Sequence, residues 1–270
     1  MEPKVWLLNR CHIDYRNTIN GWMNHLGLSA QDCDNFIQIN GNISPEEFLI
    51  MVAAKRCYKS FTVRLNDNVT KVRDDPKAFF YNILKSGHGS VLEHVSVSFA
   101  FEGISRICCM ELNRHRAGTA ISQESGRYVP VPKTGDGCFI PDVIAKYGQQ
   151  AVNIFVGQYI KGLENAEHLK QQIPDYDSLP FNEKKKLTSA FRRVAPCGLP
   201  TGGVWTFNFR ALRHVLEMRT AVACEEEIRW LFNLVGEICL ETWPLVFQDF
   251  SKIKDAESQL CGFQPEFRKV

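Results

Sequence analysis

No apolar run in this chain approaches the roughly 18 residues that a membrane-spanning helix needs. The opening residues, Met1 to Leu8, lack the long apolar core of a secretory signal. Charge of one sign is also missing: the net charge is +2, without the basic excess of a general nucleic-acid binder. Ten cysteines are present, yet no C-x-x-C pair exists, which argues against a zinc ribbon. Cys108 and Cys109 are adjacent and the others are scattered, so reduced thiols in a cytoplasmic protein are expected. There is no G-x-x-x-x-G-K-[ST] loop, no G-x-G-x-x-G fingerprint and no H-E-x-x-H pair. Nor is there a G-x-S-x-G elbow. Any nucleotide must therefore be held outside the P-loop and Rossmann manners, and no metal is expected. Internal repeats, low-complexity tracts and a clear linker are lacking too, so one domain over 1–270 is expected.

What is present is an ordinary globular composition, 44% hydrophobic and 23% charged, with one unusual stretch. It runs Asn113-Arg114-His115-Arg116-Ala117-Gly118-Thr119-Ala120-Ile121-Ser122-Gln123-Glu124-Ser125-Gly126-Arg127-Tyr128. No apolar face can be drawn through it. Arginine forks match phosphate oxygens in pairs, and hydroxyls and backbone N–H groups complete such a shell. A solvated basic helix end followed by a turn has the same composition. Ser125 with His115 as base is a further reading, but an arginine-ringed Ser more often holds an anion.

The remaining pattern is mixed. Residues 4–9 read as a strand, and 11–44 carry no clear period. Ser44-Pro45-Glu46-Glu47 opens a helix through Phe48, Met51, Val52 and Cys57. A loop is expected over 59–75. Asp75-Pro76 opens a second helix, closed by Gly87. Ser90 to Glu93 fits a capping box. Val95, Val97, Phe99 and Phe101 alternate as a strand that Gly103 should break. A helix is expected from Ile104 to Arg116, running into a loop; its pitch sets Glu111 and His115 on one face. Pro130, Pro132, Gly135 and Gly137 mark another loop. One long helix is expected over 142–172 and another over 187–194. Pro200, Gly202 and Gly203 suggest a tight connection before a strand at 204–207. Asn208, Leu212, Val215 and Arg219 share one helical face, apolar in the middle and polar at both ends. Such a face lines a polar pocket, unless Arg219 snorkels to solvent. Residues 251–270 read as a loosely packed polar tail.

His88-Gly89-Ser90-Val91-Leu92-Glu93-His94 has two readings of its own. As structure it is a helix stop and a capped start; that leaves His88 and His94 unexplained and leaves ligand contact by His88 or Ser90 open.

Taken together, these blocks resemble flavin-dependent thymidylate synthases. Arg114-His115-Arg116 with Ser125-Gly126-Arg127-Tyr128 resembles the family signature. His88 to His94 is similar to its H-x-[ST]-x-x-E-H segment. Phe99 to Arg106, then Asn208 to His214 with Glu217-Met218-Arg219 and Glu227-Ile228-Arg229, resemble later blocks in the same order. The resemblance covers roughly 48–132 and 188–250. It implies an α+β fold with a small, mainly antiparallel sheet and long helices, assembled as a homotetramer with shared active sites. It implies FAD, with NADPH and methylene-tetrahydrofolate as co-substrates, and dUMP converted to dTMP. Flavin contacts would be His88, Ser90, Arg114, His115, Arg116, Gln123, Asn208, Arg210 and His214. Nucleotide contacts would be Glu111, Arg114, Gln123, Glu124, Ser125, Gly126, Arg127, Arg192 and Arg219. Arg219 would be the catalytic cation beside the uracil. Two departures stand out. Eight residues, Ala117 to Glu124, separate Arg116 from Ser125, one more than usual, with Gly118 the expected place for a looser turn. Glu111 stands where many members have Gln. Methylation of UMP is therefore the close alternative, and a non-catalytic nucleotide- or RNA-binding protein the distant one.

Overall fold

A computed structural model describes residues 1–40, 42–63, 65–129 and 137–270. Among these, the chain builds a four-stranded antiparallel sheet in the order β1-β2-β4-β3. The strands are β1 (Lys4–Leu7), β2 (Ser96–Ser105), β3 (Thr119–Gln123) and β4 (Pro200–Asn208). Val97, Phe99 and Phe101 point to one side and are fully buried. Trp205 and Phe207 sit opposite Phe99 and Val97 in register and extend the same apolar face. That side packs against Phe232 of α10 (Glu226–Thr242). The other side carries small and polar groups, with the Ser98 and Thr206 hydroxyls 2.8 Å apart across the strands. Alternation of this kind is what fixes strand register. Gly103, at φ 65°, does not end β2; it forms a bulge between Phe101 and Ile104, beyond which pairing resumes.

The helix signals near Ser44 and Asp75 hold. The helix α3 (Pro45–Tyr58) starts with a complete Ser44–Glu47 capping box, and the Glu47 carboxylate also accepts from Leu245 N at 2.7 Å. The next helix, α4 (Pro76–Lys85), is capped by Asp75. The period-free stretch 11–44 contains a π-helical turn, Tyr15–Ile19, then α1 (Asn20–His25) and α2 (Ala30–Asn40). Tyr15 and Phe36 pack their rings on Phe48, at 4.8 and 5.6 Å. The 59–75 loop is tethered: Lys55 Nζ donates to the Arg73 carbonyl at 3.2 Å.

Several boundaries differ from expectation. Ser90 is not the N-cap: it lies inside the 3-10 turn Gly89–His94, whose N-cap is His88 and which has no side-chain cap. Only α5 (Arg106–Leu112) of the expected 104–116 helix forms, capped by Ser105. The helix end then runs into a turn through the basic residues 114–116, as expected, but 119–123 form an edge strand rather than more loop, because β4 offers β3 an unbroken ladder. The long helix is interrupted by Gly148 at φ 90°, leaving α6 (Asp142–Ala145) and α7 (Gln149–Gln171). Its neighbour starts earlier than expected, as α8 (Phe181–Phe191). The loop markers Pro130, Pro132 and Gly135 lie outside the described residues.

The loose tail is also corrected. Residues 250–265 form a hairpin, β5 (Phe250–Lys254) with β6 (Cys261–Pro265). Phe263 is fully buried, and its N–H donates to Thr220 Oγ1 at 2.8 Å. Arg229 binds Asp255 at 2.5 Å. Nearby, Arg213 of α9 (Phe209–Arg219) grips Asp249 with two bonds of 2.8 and 2.9 Å. These partners are distant in sequence, so the segment reads as polar although it is packed.

Candidate functional site

The turn after α5, the start of α9 and the last residues of the chain surround a cleft of about 680 Å³. Its lining includes Arg114, His115, Arg116, Gly118, Asn208, Arg210 and His214, seven residues that the sequence already singled out. Local chemistry explains the convergence. Asn208 is the N-cap of α9: its side chain accepts from Ala211 N at 2.8 Å, and its own N–H donates to the Gly118 carbonyl at 2.8 Å. Gly118 adopts φ 68°, and a Cβ there would lie 2.5 Å from Asn208 Nδ2. The positive φ thus falls where the longer connection was expected to loosen. β3 follows without a register break.

Arg219 closes α9, meets the cleft residue His115 and does not snorkel. Its side chain is only 12% exposed. Nη1 donates to Glu111 Oε2 at 2.8 Å, Nη2 to the Glu111 carbonyl at 3.0 Å, and Nε to His115 Nε2 at 2.6 Å. Glu111 also reaches Arg114, with 3.4 Å between Oε1 and Nη1. One carboxylate therefore bridges the cleft residue Arg114 and the part-buried Arg219. Burial pushes the His115 imidazole down to about 4, and the Arg219 and His214 charges add to this. His115 is thus neutral and accepts at Nε2.

The other predicted residues fall elsewhere in a single chain. Arg192, Glu124 and Gly126 line a second cleft of about 240 Å³. Gln123 and Arg192 line an adjoining one, where Gln123 Oε1 accepts from Asn113 Nδ2 at 3.1 Å. Ser125 shapes the turn between them, its carbonyl accepting from Tyr128 N and Val129 N at 3.0 Å. Arg127 lines a groove between α7 and α8. His88 stacks on Tyr58 at 6.2 Å beside the 59–75 loop, and Ser90 is exposed on the 3-10 turn whose Glu93 does line the first cleft. Within one chain, Arg127 and Arg192 line different clefts, and Arg219 lines neither of them.

Three features escaped the sequence reading. Arg106 lines both smaller clefts with Arg192, and a Cβ at Gly126 would lie 2.8 Å from its Nη2. Thr201 lines the second cleft with its buried hydroxyl unpartnered among the described residues. Arg268 and Lys269 line the first cleft from the far end of the chain. The Ile104-Ser105-Arg106 block contained a signal for Arg106; nothing local marked the others.

The first cleft suits the flavin dinucleotide that the resemblance implies. Arg114, Arg116, Arg210, Arg268 and Lys269 bring five cations, against one carboxylate side chain, Glu93, itself bound to Arg210 at 2.6 Å. A diphosphate meets complementary charge there. Gly118 leaves backbone exposed in the cleft where a side chain would collide with Asn208, and at buried Gly89 a side chain would collide with the cleft residue Arg210. Among the described residues, no group of three or more His, Cys, Asp or Glu could hold a metal ion. No described helix is long and apolar enough to cross a membrane.

Comparison with known proteins points the same way. A sequence model of the family described as "Thymidylate synthase complementing protein" matches residues 42–245. The chain is 33% identical over 228 residues to a flavin-dependent thymidylate synthase of Mycolicibacterium vanbaalenii, covering 80% of this chain and 84% of that one. A protein of the same name from Nitratidesulfovibrio vulgaris is 30% identical over 233 residues, covering 83% and 88%. In structure, the chain is similar to a UMP/dUMP methylase, PolB from Streptomyces cacaoi, bound with 5-Br UMP. The TM-score is 0.59 at 16% identity, over 91% of this chain and 92% of that one. At that identity the likeness shows the α+β fold alone. The family match and the two sequence relatives carry the identification: the chain is a methyltransferase that belongs to the thymidylate synthase complementing protein family, the flavin-dependent thymidylate synthases.

Proposed function

We propose that the chain reductively methylates dUMP to dTMP, with methylene-tetrahydrofolate as carbon donor and NADPH as the reductant of FAD. The observation that supports this most is the part-buried Arg219, oriented by Glu111 and by His115 of the cationic cleft. When bound, FAD supplies the hydride chemistry. Arg114, His115, Arg116, Asn208, Arg210 and His214 hold it. His88, Ser90 and Gln123 face other surfaces, so as flavin contacts they belong to a site completed by neighbouring copies. Arg219 lies against N3 and O2 of uracil and stabilises the charge that develops there. Arg127 and Arg192 take the dianionic phosphate, whose oxygens their forks match, with Gln123, Glu124, Ser125 and Gly126 around it. The dispersal of these arginines within one chain supports a homotetramer with shared sites. Light scattering tests it: four copies are expected, and a monomer contradicts it.

Glu111 favours a second reading. A carboxylate only accepts hydrogen bonds, and a ribose 2′-hydroxyl donates one. On that reading UMP is the substrate. PolB, which shares the fold, is described as a methylase of both UMP and dUMP.

Arg219→Ala tests the shared mechanism. It is expected to leave FAD bound and to lower methylation of either nucleotide by about 100-fold or more. Normal turnover would remove Arg219 from the mechanism. Side-by-side turnover of dUMP and UMP decides between the substrates.

A further inference from the structure

The segment after β6 lies outside the residues matched by the family model, yet it walls the first cleft. It is fastened along its length. Glu266 N donates to the Asp249 carbonyl at 2.9 Å, and Phe267 N to Asp249 Oδ2 at 3.2 Å. Asp249 is itself fixed by buried Arg213. The Phe267 ring meets Tyr81 edge-on at 5.3 Å. Arg268 Nε lies 3.1 Å from Glu217 of α9. Val270 is buried against Gly89, where an added Cβ would come within 3.2 Å of its carbonyl carbon. Lys269 is exposed beside the cleft and has no ion pair among the described residues. The result is a strap that adds two cations to the three that the signature turn and α9 bring to the cleft, with Arg210 and Val270 both packed at Gly89.

We propose that Arg268 and Lys269 are cofactor-binding residues that grip the diphosphate of FAD together with Arg114, Arg116 and Arg210. The proposal rests on the flavin reading above and deepens it. Five cations lining one cleft favour a multiply charged anion, and without the strap three would share that charge. Cations of this kind act through charge, so their effect depends on salt and on the phosphates, not on the ring system.

The test uses the full chain, stripped of bound flavin and titrated with FAD or riboflavin at low and moderate salt, followed by flavin fluorescence. Arg268→Ala with Lys269→Ala is expected to weaken FAD binding about tenfold at low salt and to flatten its salt dependence. Riboflavin, which has no phosphate, should bind both proteins alike. Lys269→Gln alone breaks no ion pair among the described residues and should show a smaller loss of the same kind; Lys269→Arg should restore it. Unchanged or tighter FAD binding in the double variant would overturn the proposal, because the strap would then be inert or a plug. An equal loss for riboflavin would also overturn it, by showing a structural role. A wild-type chain that takes up neither flavin overturns the cofactor reading itself, and this proposal with it.

Discussion

Arg219 shows how single side chains are set for work in this protein. Its three donor nitrogens are all engaged, by Glu111 and by His115. The pitch of a helix suggested that Glu111 and His115 share a face. That Arg219 would meet both, across more than a hundred residues, could not be read from spacing. The imidazole carries a testable consequence. Its folded value, about 4, lies below the ordinary 6.5, so between these limits the unfolded chain binds more protons than the folded one. The stability His115 contributes is complete above pH 6.5 and is lost as pH falls toward 4. By NMR, the His115 ring is expected to stay neutral at pH 5.5 in the wild type and to titrate at higher pH in Arg219→Ala. An unchanged midpoint in that variant would show that the Arg219 contact has no electrostatic weight.

Among the elements, the turn between α5 and β3 joins the signature to α9. Gly118 is essential there for two reasons: its φ is positive and Asn208 leaves no room for a side chain. Gly118→Ala is expected to cost about 2 kcal/mol, from αL strain and a disturbed N-cap. It should also weaken FAD binding, because Arg116 and Asn208 flank the same turn. A melting temperature and flavin affinity equal to wild type would contradict this. The helices with strong start signals, α3 and α4, were legible because Ser44 and Asp75 cap them locally. The strand β3 was not, since its residues are mostly exposed and only the β4 ladder makes it extended. The interruption at Gly148 was likewise hidden inside a continuous amphipathic pattern.

For the whole molecule, six of the nine residues that the resemblance assigns to flavin gather in one cleft, whereas most of those it assigns to the nucleotide are spread over other clefts of one chain. The difference is physical. The signature turn and the start of α9 meet because β3 and β4 are neighbours, so one fold suffices for that set. Arg127 and Arg192 extend from peripheral elements around α7 and α8, and a single copy gives them no common target. The C-terminal strap was illegible for the opposite reason: its anchors, Asp249, Glu217 and Tyr81, lie far along the chain. The central claim is that these surfaces serve one methyl transfer to a uridine nucleotide. The most direct test incubates the full chain with FAD, NADPH, dUMP or UMP, and methylene-tetrahydrofolate labelled in its methylene carbon, then weighs the nucleotide by mass spectrometry. Labelled carbon at C5 of the pyrimidine, formed only when NADPH is present, is the predicted result. Nucleotide recovered unlabelled from a flavin-loaded protein would contradict the account.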